Sequence, residues 1–87
     1  MFKKTVAEVL ASPQRAAIIV AIDKKDRGFA ELQKLSNLSS GTLGYHLLKA
    51  QVSGVITKDQ NNKYSITPLG RKVTVILEQI GESSNEI

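Results

Sequence analysis

The sequence predicts a mainly helical α+β domain of five helices and one two-stranded β-hairpin. Three observations point there. Apolar residues recur at intervals of three and four along most of the 87 residues. Serine-proline and threonine-proline pairs, Ser12-Pro13 and Thr67-Pro68, mark helix starts, the hydroxyl as N-cap and proline at the first helical position. Between the helical stretches, two short β-branched and aromatic runs flank Gln60-Asn61-Asn62, a turn in which asparagine tolerates positive φ.

Phe2, Val6, Val9 and Leu10 share one helical stripe, which predicts a first helix over residues 3–11. The second helix spans residues 13–25. Its centre, residues 16–22, is apolar nearly all round and should be the most buried element. A charged run and Gly28 end it. Phe29, Leu32 and Leu35 predict a third helix of about two turns, broken at Ser36-Asn37-Leu38. Ser39 caps a fourth helix over residues 40–52. This helix contains Gly41 and Gly44, each costing roughly 1 kcal/mol against alanine. Gly41 could let a ligand approach the backbone, and Gly44 could permit close crossing by the third helix. Residues 55–58 and 64–66 are the two strands of the hairpin, and the last helix runs from Pro68 to about Ile80. Residues 1–81 thus form a single domain, and 82–87 a frayed polar tail. The order reads as a helix-turn-helix followed by a hairpin wing, a winged helix-turn-helix.

Composition narrows the functional classes. The sequence has no cysteine, so disulfides and thiolate metal sites are excluded. No apolar run approaches the length of a membrane span, and the chain is expected to be soluble and cytoplasmic, with no membrane partner. There is no cysteine nucleophile, no phosphate-cradling glycine loop and no pair of acids near the single histidine, His46, so no enzymatic activity, cofactor or metal is expected. Net charge is +4 and unevenly spread. Lys34, Lys49, Lys58, Lys63, Arg71 and Lys72 face Asp59 alone in residues 34–72, whereas acids slightly outnumber bases elsewhere. Such a concentration suits a surface that meets phosphates, although a merely solvated basic face has the same composition.

The fourth helix carries the candidate site. Leu43, Leu47 and Ala50 make a core stripe, leaving Thr42, Tyr45, His46 and Lys49 on another face with groups that hydrogen-bond base edges or phosphates. Ser39, Ser40 and Gly41 stand at its N-terminus, where free N–H groups and the helix dipole attract a phosphate. Tyr45 could instead be a half-buried packing residue, His46 a structural contact and Lys49 simply solvated. Leu48 fits neither face. In the wing, Lys58 and Lys63 flank a turn tipped by Asn61 and Asn62, placed to follow phosphates or enter the minor groove.

These segments resemble ArsR- and MarR-like winged-helix regulators. Ser12-Pro13-Gln14-Arg15 with Ile18-Ile19 and Ile22 is similar to their "S-P-x-R-x-x-I-L-x-x-L" helix, and Phe29-Ala30-Glu31-Leu32 with Leu35 to their first helix-turn-helix element. Residues 39–47 resemble their recognition helix, Gly54-Val55-Ile56 the "G-L-V" that enters the wing, and residues 64–71 the "Y-x-L-T-x-x-G-R" exit. The resemblance covers residues 10–73. It implies sequence-specific binding of double-stranded DNA as a homodimer, with Ser40, Thr42, Tyr45 and His46 at the major groove and residues 58–63 at the wing. Metal-sensing ArsR proteins carry a cysteine motif, which is absent here. Phe2, Val6, Val9, Ile76, Leu77 and Ile80 supply the apolar face of a two-fold dimer joining the first and last helices. A winged helix used as a protein-protein module, or as a non-specific nucleic-acid binder, is the alternative.

Overall fold

The computed structural model describes the backbone of residues 2–85 and the side chains of residues 3–80. In chain order it contains α1 (Phe2–Leu10), α2 (Pro13–Lys24), β1 (Arg27–Gly28), α3 (Phe29–Ser36), α4 (Ser40–Val52), β2 (Ile56–Lys58), β3 (Lys63–Ile66) and α5 (Pro68–Asn85). Side chains start the helices where the sequence places caps. The Ser12 hydroxyl accepts from the Arg15 N–H, that of Ser39 from the Thr42 N–H, and that of Thr67 from the Gly70 N–H. Asn37 closes α3 in the left-handed conformation, φ 58°, its N–H donating to the Gln33 carbonyl. The Gln33 amide also donates to the Ser40 hydroxyl at 3.0 Å, which fixes the turn between α3 and α4.

The sheet has three antiparallel strands in the order β1-β3-β2, one more than the predicted hairpin. Arg27 pairs with Tyr64 and Gly28 with Lys63 across the added edge, while Ile56 to Lys58 pair with Ile66 to Tyr64. A two-residue strand has no alternation for a sequence to reveal. It exists because β3 offers an open edge. The wing turn is held from inside, because Asp59 Oδ1 accepts the N–H groups of Asn61 and Lys63 and Asn62 takes φ 62°. The last helix continues to Asn85 rather than ending near Ile80, so residues 82–85 of the predicted tail have helical backbone, and 86–87 lie outside the described residues.

α2 is the central element. It packs against α1, α3, α4, α5 and β3, and Ile18, Ile19 and Ile22 are buried along it. Leu32, Leu43, Leu47, Ala50, Val55, Ile56, Tyr64 and Val73 complete the core around them. Val9 belongs to the same core at 2 % exposure, which corrects its placement on a dimer face. His46 is a further correction. Its side chain is buried, not presented with Tyr45, and its Nδ1 accepts a hydrogen bond of 3.2 Å from Arg15 Nε. Leu43, His46, Leu47 and Ala50 follow the i, i+3, i+4, i+7 rule, so the buried stripe of α4 includes the imidazole. That bond ties α4 to the start of α2, and Ser53 Oγ, donating to Glu8 Oε2 at 3.2 Å, ties the end of α4 to α1.

The wing is anchored where α4, β2 and α5 converge. Gly54 turns the chain with φ 81°. Thr67 then donates its hydroxyl to the Gly54 carbonyl and its N–H to the Val55 carbonyl. Gly70 lies so close that a Cβ there would overlap the Val55 carbonyl oxygen. Gly44 is the opposite case. A Cβ there would meet nothing, so the glycine is not required by helix crossing.

Two predictions follow from this packing. Gly70→Ala forces the wing base and α5 apart and lowers stability by roughly 1–3 kcal/mol, whereas Gly44→Ala raises it by up to about 1 kcal/mol through helix propensity. Denaturant titration of both variants checks the opposite signs; two changes of the same sign would contradict this packing. The second concerns pH. Burial, and then the neighbouring Arg15 charge, lower the His46 pKa below its ordinary 6.5. The unfolded chain therefore binds a proton first as pH falls. The folded state is fully favoured above about pH 6.5 and loses that advantage between this value and the lower folded-state pKa. Melting temperature should fall between pH 7.5 and 5.5 in the parent, with a shallower slope in His46→Asn. Equal slopes would remove His46 as the cause.

Candidate nucleic-acid interface

With Leu43, His46, Leu47 and Ala50 turned inward, α4 presents its other face to solvent. Ser39, Ser40, Gly41, Thr42, Tyr45 and Lys49 are all exposed there. At the helix start, Ser39 Oγ accepts from the Thr42 N–H and donates to Thr42 Oγ1 at 3.0 Å, so both hydroxyls are held in place at the surface. A Cβ on Gly41 would meet nothing within the protein, which leaves the first turn open to an approaching backbone. The helix contains no acid, and its N-terminal dipole adds partial positive charge to that of Lys49.

Tyr45 is the largest group on this face, 53 % exposed, yet it is surrounded. The Arg15 guanidinium carbon and Lys49 Nζ each lie 5.8 Å from its ring centroid, and the His46 ring meets it edge-on at 5.7 Å. Arg15 was missed by sequence reasoning. Its ring partners, Tyr45 and His46, lie 30 and 31 positions away, so the S-P-x-R pattern that contains it does not reveal its place at this site. Leu48, which fitted neither face, is exposed, as is Val52 one turn further on.

In the wing, Lys58, Asn61, Asn62 and Lys63 are exposed. Lys58 Nζ lies 5.6 Å from the Tyr64 ring centroid, so its stem crosses the sheet beside a buried aromatic. Asp59, the one acid of this basic region, is folded into its own turn by the bonds described above. Arg71 pairs with Asp23 at 2.9 Å, which ties its charge to the end of α2. The exposed cations of α4 and the hairpin are therefore Lys49, Lys58 and Lys63.

A separate apolar surface lies between α1 and α5. Leu10, Val75 and Ile80 are exposed, and a groove of about 350 Å³ is lined by Lys3, Val6, Ala7, Leu10 and Ile76. Of the predicted dimer residues, Val6 and Ile76 are half-buried at this groove and Ile80 is exposed. Leu77 packs against the core, Val9 is inside it, and the side chain of Phe2 lies outside those described. Leu10 joins the face.

No single helix among the described residues is long and apolar enough to cross a membrane. Among the same residues, no three His, Asp or Glu side chains gather in a way that could hold a metal ion.

No family model and no curated protein matches the chain. Among solved structures it is similar to an ArsR-like transcriptional regulator from Rhodococcus sp. RHA1, with a TM-score of 0.67 and 21 % sequence identity over 95 % of this chain and 82 % of that one. Among the described residues, five helices and a three-stranded antiparallel sheet, together with this likeness, establish a winged helix-turn-helix fold.

Proposed function

We propose that this chain binds double-stranded DNA in a sequence-dependent manner, as a homodimeric transcriptional regulator acting in the cytoplasm. α4 enters the major groove, and the β2–β3 wing follows the backbone or enters the adjacent minor groove. The observation that carries this reading is the exposed face of α4, which has two hydroxyls, a phenol and an ammonium and no acid. Thr42 and Tyr45 are the groups that read bases. Ser39, Ser40 and the open first turn at Gly41 position a phosphate, and Lys49, Lys58 and Lys63 supply attraction that does not depend on sequence. The fold shared with a transcriptional regulator is consistent with this assignment.

In the same reading, two copies join through apolar residues of α1 and α5, exposed Leu10 and Ile80 with half-buried Val6 and Ile76. This proposal expects the two copies of α4 to stand about 34 Å apart, one turn of the duplex. Exposed Leu48 and Val52 favour a second reading, a winged helix whose α4 meets a protein.

Selection of bound duplexes from a random library tests both readings. A palindrome with half-sites one helical turn apart supports sequence-specific binding by a dimer. Failure to enrich any duplex puts the protein-interaction reading ahead. On the enriched duplex, the Thr42→Ala, Tyr45→Ala double variant should remain folded and lose most of its site preference, about 1–3 kcal/mol for each lost base contact. Its affinity for scrambled DNA, carried by the lysines, should fall much less. Retained site preference would show that α4 is not the reader.

A further inference from the structure

Tyr45 combines two properties on the surface of α4: it is half-exposed, and it has partners around its ring. An unsupported tyrosine at such a position would sample several rotamers and lose that freedom on binding a ligand. Here Arg15 reaches it from a different helix. Arg15 Nε donates to His46 Nδ1 at 3.2 Å and Nη1 to the Glu8 carbonyl at 3.4 Å, so the planar guanidinium is fixed at two points, one on α4 and one on α1. Its carbon then stands 5.8 Å from the centre of the Tyr45 ring. Lys49, one turn further along α4, lies at the same distance, and the His46 ring makes a T-shaped contact with that of Tyr45. An ammonium at position 15 would carry the charge but lack the fork that engages His46, Glu8 and the ring together.

We propose that Arg15, outside the helix-turn-helix, is a positioning residue for sequence discrimination, acting through Tyr45 by holding its ring at the geometry in which it meets a base. The inference rests on the reading of α4 as the DNA-reading helix and adds to it a specificity-determining residue on α2. It assigns Arg15 a role through Tyr45 and no contact with DNA; Nε and Nη1 are directed at His46 and Glu8.

A double-variant cycle tests this on the full chain. The probes are the duplex most enriched from a random library and a scrambled duplex of the same composition, and the readout is the ratio of their affinities. Arg15→Met keeps the aliphatic stem and removes the fork. It should lower the ratio about fivefold to tenfold when Tyr45 is present, but by less than about twofold in the Tyr45→Ala background, since coupled residues are non-additive. Its salt dependence should match that of the parent. Arg15→Lys should lose the preference nearly as fully as Arg15→Met, and it provides the same reading if the methionine variant fails to fold. Equal losses with and without Tyr45 would overturn the proposal, as would full preference in Arg15→Lys. A salt slope reduced by about one unit in Arg15→Met would make Arg15 a direct phosphate contact and overturn it too. In each of these outcomes the parent still prefers the enriched duplex, and the DNA reading stands. A parent with no preference for any duplex overturns both.

Discussion

Ile18, Ile19 and Ile22 project from α2 into a core that α1, α3, α4, α5 and β3 all meet, and none of the three is more than 3 % exposed. Burying an isoleucine side chain completely is worth about 1.5–3 kcal/mol. In a chain of 87 residues with no cysteine, that contribution cannot be replaced by a disulfide. α2 is apolar on nearly every side because it has neighbours on nearly every side. The position of each other helix is then determined by which of its faces is apolar enough to lie against α2.

For α4 this requirement leaves little choice. Leu43, Leu47 and Ala50 must turn inward, and His46, at the same period, turns inward with them. Its imidazole brings a polar atom into the interface, and Arg15, at the start of α2, satisfies it. What remains outward is the polar face with Thr42, Tyr45 and Lys49. The candidate reading surface is therefore the complement of the core stripe. Its hydroxyls, phenol and ammonium are exposed because none of them could be buried against isoleucine without a partner. The wing follows a similar logic at smaller scale. Close contact among Gly54, Val55, Thr67 and Gly70 joins the base of the hairpin to α5, and the lysines extend from that base.

Features encoded locally were legible from the sequence. Ser12-Pro13, Ser39 and Thr67-Pro68 cap the helices they were expected to cap, and α4 has its predicted limits, Ser40–Val52. The turn at Asn62 takes the positive φ that asparagine tolerates. Features created by distant contacts were not legible. β1 is a strand only because Tyr64 and Lys63 lie beside Arg27 and Gly28. Val9 shares a stripe with Val6, and periodicity alone cannot tell an intramolecular core from a face that awaits a second copy. His46 was separable in principle. Its spacing from Leu43, Leu47 and Ala50 was that of a core residue, but its polarity placed it with the exposed residues, because nothing nearby in sequence announces Arg15 as its partner. The S-P-x-R pattern includes Arg15, but because its contact with α4 is long-range, the pattern does not place it at the candidate site.

On the proposed function, the outward face of α4 and the basic hairpin meet DNA together. Amide chemical shifts of the isotope-labelled full chain, followed during titration with an enriched duplex, test it most directly. Shifts should concentrate at residues 39–49 and 58–63, with the exposed residues of α1 and α5 changing only where two copies join. Shifts confined to α1 and α5, or to Leu48 and Val52 with the wing and residues 39–45 unmoved, would contradict it.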